Sequence, residues 1–103
     1  MSAGARIAAI LADAARELRG SEATAVRDEV TWSVGGRPFA ALSAATLEVR
    51  LDEVVAAAAR RTPDTSGSAR GPEWVTFSPA SLDRYAEDRL RAWFGAAHRR
   101  AAG

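Results

Sequence analysis

The feature that most constrains this chain is an alternating run of side chains interrupted by two adjacent glycines. The segment VTWSV, residues 30–34, alternates apolar and polar side chains, Gly35-Gly36 follows it, and a second run continues over 37–42. Alternation with a period of two is typical of a half-buried strand, and adjacent glycines tolerate the positive φ angles of a two-residue turn. The pattern therefore predicts a β-hairpin with its apolar side chains on one face.

The turn also predicts a register for this hairpin. A regular two-residue connection places Trp32 opposite Phe39 and puts the apolar partners on one side of the sheet. The same parity assigns the remaining side chains to the other side. The predicted pairs are Val34 with Arg37, Trp32 with Phe39, and Val30 with Ala41; the predicted second face holds Thr31, Ser33, Ala40, Leu42, Thr46, Glu48 and Arg50.

Patterning outside the hairpin predicts one further helix on each side of it, two further strands and a closing helix. Apolar residues recur with helical spacing over 7–18, and alternation over 46–51 predicts a third strand. Residues 52–61 predict a short helix with Val54, Val55 and Ala58 on its apolar face, and 74–78 predict a strand. The 12 residues from Thr62 to Glu73 have the composition of an irregular loop, and Leu82 begins a long amphipathic helix whose N-cap is Ser78 or Ser81. The aromatic residues of this helix, Tyr85, Trp93 and Phe94, are expected to form much of the core.

The predicted order is α-β-β-β-α-β-α, with residues 21–29 as a polar connection. Short connections favour antiparallel pairing of neighbouring strands, and helices with one apolar face each require a surface to cover. With 103 residues, the chain has the size of a single domain. We therefore expect one domain, 1–103, with a two-layer α+β fold and all helices on one face of the sheet.

Composition excludes several classes of function. The chain has no cysteine, one histidine, and 14 basic residues against 13 acidic ones, for a net charge of +1. Disulfide scaffolds, thiolate nucleophiles and cysteine-ligated metals are therefore excluded, and no overall field attracts a polyanion. Charged residues interrupt the apolar segment 7–18, so it is neither a signal peptide nor a membrane span, and we expect a cytoplasmic protein with no membrane contact.

No pattern predicts a catalytic residue, a metal site or a cofactor. His98 is expected to face solvent near a helix end, where no rigid neighbour positions it as a general base. The acidic pairs 52–53 and 87–88 are adjacent in sequence, and adjacent helical residues do not face each other. Gly35-Gly36 lacks the spacing of a phosphate-binding loop. We therefore expect a protein that is not an enzyme; an enzyme would require an acid with a perturbed pKa, for which Glu48 or Glu73 is the best position.

Two surfaces are candidates for binding. Arg91, Arg99 and Arg100 on the last helix are the candidate nucleic-acid contacts, although acidic residues at i±4 spacing neutralise much of that face. The second candidate is the face of the sheet opposite the helices, where parity also places Trp74. Its predicted ligand residues are Ser33, Glu48, Arg50 and Trp74, and the alternatives for this face are a small molecule, a homodimer or other protein contact, and local packing of Trp74 under its own loop.

Three segments give the chain a resemblance to the MmcQ/YjbR family. They are WSVGGRPFA at 32–40, LEVRL at 47–51 and EWVTF at 73–77 before the C-terminal helix, and the likeness extends over about residues 30–97. It implies the CyaY-like, or double-wing, α+β fold. The family is largely uncharacterised, with DNA binding proposed from fold similarity, and a shared fold is weak support for a shared function.

A second likeness is to small actinobacterial domains described as luciferase-like, which share the Val-Arg-Leu strand and the late Trp-Val strand. Those domains usually carry histidines near the hairpin and in the connecting loop, where this chain has none. The leading expectation is therefore a non-enzymatic, MmcQ/YjbR-like binding domain with DNA as a candidate partner. The alternative is a small-molecule or protein-interaction module that uses the sheet face around Trp74, Glu48 and Arg50.

Overall fold

The structure, a computed structural model, describes residues 1–103 as one six-stranded antiparallel sheet with three helices. The strands lie in the order β1-β2-β3-β4-β6-β5. The two-layer α+β fold is confirmed. None of the helices combines the length and apolar character needed to cross a membrane. In chain order the elements are α1 (Ala3–Ala15), β1 (Ser21–Val26), β2 (Glu29–Val34), β3 (Arg37–Ser43), β4 (Thr46–Arg50), α2 (Glu53–Ala59), β5 (Thr65–Ser68), β6 (Gly71–Phe77) and α3 (Arg84–Ala102).

All three helices cover the same face of the sheet. The register pairs Leu47 with Phe77 and Val49 with Val75, so these four side chains share one side, and all four are fully buried. They belong to a single core cluster that also contains the buried residues of every helix, which is possible only if the helices share that side. The helical members of the cluster are Ile7 and Leu11 of α1, Ala56 and Ala59 of α2, and Ala86, Leu90, Phe94 and Ala97 of α3.

Two strands lie in segments that the sequence predicts as irregular. Residues 21–26 form β1 instead of a polar connection, and 65–68 form β5 inside the predicted loop Thr62 to Glu73. The element order is therefore α-β-β-β-β-α-β-β-α. Both strands consist largely of small or polar residues, so their sequences carry little alternation. Pairing with β2 and β6 respectively, rather than a propensity of their own, holds them in the sheet.

The hairpin turn at Gly35-Gly36 is confirmed, since both glycines have positive φ angles, but the predicted register holds only next to the turn. Val34 pairs with Arg37 as expected, whereas Trp32 lies opposite Ala40 because β3 carries one extra residue, Phe39, between the two pairs. Such a bulge shifts the parity of the strand beyond it. As a result Ala40 and Leu42, predicted on the uncovered face, point into the core.

The helix α2 buries different side chains from those that the sequence predicts. Val54 and Val55 are 78% and 45% exposed, while Ala56 and Ala59 are buried against the sheet. Asp52 caps the helix by accepting a hydrogen bond from the backbone N–H of Val54 at 3.0 Å. The cap fixes where the helix begins, and thereby which side of its two turns faces β6.

The predicted start of α3 is also wrong. Its N-cap is Asp83, whose side chain accepts a hydrogen bond from the N–H of Ala86 at 2.9 Å, and neither Ser78 nor Ser81 serves this role. Tyr85, expected in the core, is 64% exposed. Tyr85 lies nine positions before the buried Phe94, which places it on the opposite side of the helix, facing away from the sheet.

His98 is buried, which contradicts the solvent-facing position expected for it. The helix continues to Ala102, so His98 lies one turn after Phe94 on the side that faces the sheet. Its Nε2 donates to the carbonyl oxygen of Arg19 at 2.9 Å, and its ring lies edge-on to Phe39. The histidine therefore ties α3 to the connection between α1 and β1.

Substituting glycine with alanine at two helical positions tests the docking of α1. A Cβ on Gly4 would lie 2.6 Å from the carbonyl oxygen of Ala44, whereas a Cβ on Gly95 would meet only the movable end of Arg99 at 3.3 Å. We expect Gly4→Ala to lower the free energy of unfolding by about 1–3 kcal/mol. Gly95→Ala, the matched control, gains helix propensity and should raise it by up to about 1 kcal/mol. Urea denaturation measures both; similar effects would contradict the packing of α1 on the β3–β4 turn.

Candidate functional site

The face of the sheet that carries no helix is a lattice of polar side chains with one small apolar residue at its centre. The register aligns Thr31 of β2, Ala41 of β3, Glu48 of β4 and Thr76 of β6 in one row across this face. Ala41 is only 2% exposed although no helix covers it. Larger side chains around it therefore shield the middle of this face. The whole face that carries no helix is called the open face below.

Arg70 is the residue that spans the open face. It lies in the two-residue turn between β5 and β6, and its side chain reaches back over the neighbouring strands. Its Nε donates to Oε1 of Glu48 at 3.0 Å, and its Nη2 donates to Oε1 of Glu29 at 2.9 Å. One guanidinium thus joins β4, β2 and the β5–β6 turn, with planar donors matched to two carboxylates.

Trp74 lies beneath the same guanidinium. The register pairs Trp74 with Arg50, whose side chain is on the open face, so Trp74 points away from the helices as predicted. The central carbon of the Arg70 guanidinium is 5.4 Å from the centre of the Trp74 ring, within the range of a cation–π interaction. The half-buried indole is therefore covered by a residue from its own hairpin, which agrees in part with the local-packing alternative.

A second ion-pair cluster lies at the end of β4. Both Nε and Nη2 of Arg50 donate to Oε1 of Glu73, at 3.2 and 2.9 Å. The other carboxylate oxygen, Oε2, accepts from Nη2 of Arg100 at the end of α3. Glu73 therefore neutralises two arginines that the sequence assigns to two different sites, and it links the last turn of α3 to the sheet.

The carboxylates of Glu48 and Glu73 are held in the ionised form. Burial opposes ionisation of Glu48, but hydrogen bonds from Ser68 and Arg70 outweigh it and lower the pKa of the Glu48 carboxyl below its usual value. Hydrogen bonds from Arg50, with the charge of Arg100, lower the pKa of Glu73. A general acid at neutral pH needs a raised pKa, so the lowered pKa values of Glu48 and Glu73 suit ion pairing rather than proton donation.

Three of the four predicted ligand residues lie together, and one does not. Glu48, Arg50 and Trp74 occupy adjacent strands, while Ser33 lies on β2 beside the bulge and makes no side-chain hydrogen bond to them. Sequence patterning assigns no role on this face to Glu29, Ser68 or Arg70. The only sequence signal for the hairpin that carries Arg70 to the open face is the run of serine and glycine residues at 66–71.

The three predicted nucleic-acid contacts do not form one basic surface. Arg91 pairs with one acidic residue on α1 and one on its own helix, Arg100 pairs with Glu73, and Arg99 is exposed without an ion pair. Arg100 lies nine positions after Arg91, which places the two on opposite sides of the α-helix. The partners of Arg91 are Asp13 at 3.0 Å and Glu87 at 3.2 Å.

No three histidine, cysteine, aspartate or glutamate side chains lie together in a way that would hold a metal ion. Comparison of the chain with protein-family models, with curated proteins and with solved structures found no match in any of the three. The resemblance to the MmcQ/YjbR family therefore remains a prediction, and the candidate site is defined by its geometry.

Glu48→Gln tests the ion pair with Arg70 through its pH dependence. Because the folded-state pKa of Glu48 is lowered, its stabilising contribution is present above the usual glutamate pKa of 4.5 and is lost as pH falls through the lower folded value. We expect the substitution to lower the free energy of unfolding by ~1 kcal/mol at pH 7 and by much less near pH 3. Urea denaturation at the two pH values measures the difference.

Glu17→Gln is the matched control, since Glu17 is exposed and forms no ion pair. Its effect should be small and nearly the same at both pH values. An effect of Glu48→Gln that does not shrink in acid would contradict the ion pair.

Proposed function

We propose that this protein is a non-enzymatic binding module that recognises a cationic group of its partner on the open face. The observation that carries the proposal is the setting of the Arg70 guanidinium. Glu29 and Glu48 accept hydrogen bonds from it at 2.9 and 3.0 Å, and the Trp74 ring lies 5.4 Å away. Two carboxylates beside an aromatic face are suited to a guanidinium or an organic ammonium group.

Arg70 is, on this proposal, an internal occupant of the position that a partner's cation takes. It is delivered by a short turn at the edge of the sheet, and its side chain is 37% exposed, so it is able to leave without unfolding the core. An external cation has to displace it. The apparent affinity is therefore the intrinsic affinity multiplied by the fraction of molecules in which Arg70 has left the position. Weak binding by the native protein, and tighter binding once Arg70 is removed, follow from this competition.

Binding rather than catalysis is supported by the charge state of the site. The carboxylates of Glu48 and Glu73 are ionised and occupied as hydrogen-bond acceptors, which suits recognition of positive charge. DNA is the poorer candidate partner, because Arg91 and Arg100 already have acidic partners. The resemblance to the MmcQ/YjbR family assigns no particular residue to the binding of a cation or of DNA.

Arg70→Ala tests the proposal with a short, blocked peptide that contains one arginine between glycines. Removing the internal cation exposes Glu29, Glu48 and the Trp74 ring to the peptide. We expect the variant to bind the peptide roughly tenfold more tightly than the native protein, with a change in tryptophan fluorescence. The same peptide with glutamate in place of arginine should not bind.

Arg61→Ala is the control for the loss of one positive charge, since Arg61 is exposed and forms no ion pair. It should leave peptide binding unchanged, and adding Trp74→Leu to Arg70→Ala should remove the fluorescence change and weaken binding. Equal binding by the two single variants would contradict the proposed site. A salt-dependent gel shift with duplex DNA, weakened by Arg99→Ala, would instead favour the nucleic-acid partner.

A further inference from the structure

The two edges of the sheet differ in how well they are protected. The edge strand β5 has four residues, includes Gly67 and has an irregular register at Gly67/Ser68. The other edge strand, β1, has six residues in uninterrupted register with β2 and contains no proline, lysine or bulge. A regular strand with a free edge presents unpaired backbone N–H and C=O groups that pair readily with another strand. The molecule therefore has one unprotected sheet edge, β1, that is free to pair with another strand.

The side chains of β1 permit a close approach. Ser21, Ala23 and Ala25 point to the helix side, and Glu22, Thr24 and Val26 point to the open face, as their partners on β2 require. Every residue after Ser21 is exposed, and Val26 is 63% exposed. On the helix side, an apolar groove of about 500 Å³ runs between α1 and this edge. Its lining includes Ala8, Ala12 and Ala15 of α1 with Ala23, Val30 and Trp32 of the sheet.

We propose that β1 pairs with β1 of a second copy of this chain, antiparallel and about a two-fold axis at Thr24. A two-fold axis between antiparallel edge strands is perpendicular to the sheet, so the helices of both copies lie on one side of a continuous sheet. Residues that face each other must then be on the same face, which requires their numbers to have an even sum. The pairs become Thr24 with Thr24, Ala23 with Ala25, and Glu22 with Val26.

Charge selects this register over its neighbours. Glu22 and Arg27 are exposed and have no ion pair within the chain. The axis at Thr24 places each Glu22 opposite Val26 of the second copy, one residue before that copy's Arg27, which lies in the turn after β1. An axis at Ala23 instead places Arg19 opposite Arg27. An axis at Ala25 places Glu22 opposite Asp28. Like charges directly opposite each other destabilise strand pairing.

The second copy is favoured over a foreign strand because the edge is self-complementary in both charge and shape. Ala23 and Ala25 meet only alanines, so two backbones reach pairing distance without a steric conflict. The grooves beside the two copies of α1 also join across the axis and become shielded from solvent. Because each molecule has one unprotected sheet edge, the pairing closes as a dimer and does not extend into a fibre.

Thr24→Lys tests the interface without altering the core, since the new side chain lies on the solvent side of β1. It places two lysines opposite each other at the axis, and we expect the dimer dissociation constant to rise roughly tenfold. Sedimentation velocity over a range of concentrations measures this constant. Ser66→Lys, the same kind of change on the exposed β5 edge, is the matched control and should have no effect.

A charge exchange tests the register. Glu22→Arg alone should weaken the dimer, and Glu22→Arg combined with Arg27→Glu should restore the native dissociation constant. A native protein that sediments as a monomer at all concentrations would overturn the proposal. A dimer that tolerates Thr24→Lys, or a double variant no stronger than Glu22→Arg, would overturn it as well, because either result places the contact elsewhere.

Discussion

The packing of Phe94 against Trp32 and Phe39 is the interaction on which the arrangement of this molecule depends. The ring of Phe94 lies 5.2 Å from Trp32 and 5.3 Å from Phe39, and all three residues are buried. Removing a buried phenylalanine side chain typically costs about 3–5 kcal/mol, a large share of the stability of a small domain. The bulge makes this contact possible, because it turns Phe39 and Ala40 to the same side of β3. The long helix thereby docks across the middle strands.

Docking of every helix on one side determines the chemistry of the other. A six-stranded sheet has to solvate or pair the side chains of its second face, and this chain pairs them with arginine. Arg70 joins Glu29 and Glu48, while Arg50 and Glu73 form a separate pair nearer the end of α3. Ion pairs on an exposed surface contribute little to stability, so the charge pairs of this face add little to what holds the fold together.

Local patterns predicted the fold well where one residue type dictates the backbone, and poorly where tertiary pairing does. The glycine turn at 35–36 and the alternation over 46–51 were sufficient for a hairpin and a strand. The β1–β2 turn was missed because it uses Arg27, a non-glycine residue with a positive φ angle of 57°. Parity placed Glu48 and Trp74 on the open face, but Arg70 reaches Glu29 across 41 residues of sequence, and no local pattern reports such a contact.

The Nε–H group of Arg70 reports most directly on whether the open face is a recognition surface. In the free protein this group donates to Glu48, so its nuclear magnetic resonance signal should be sharp and displaced from that of a solvated arginine. Addition of an arginine-containing peptide should move the signal toward the solvated position as Arg70 leaves. A signal that stays in place while the peptide binds would contradict the account.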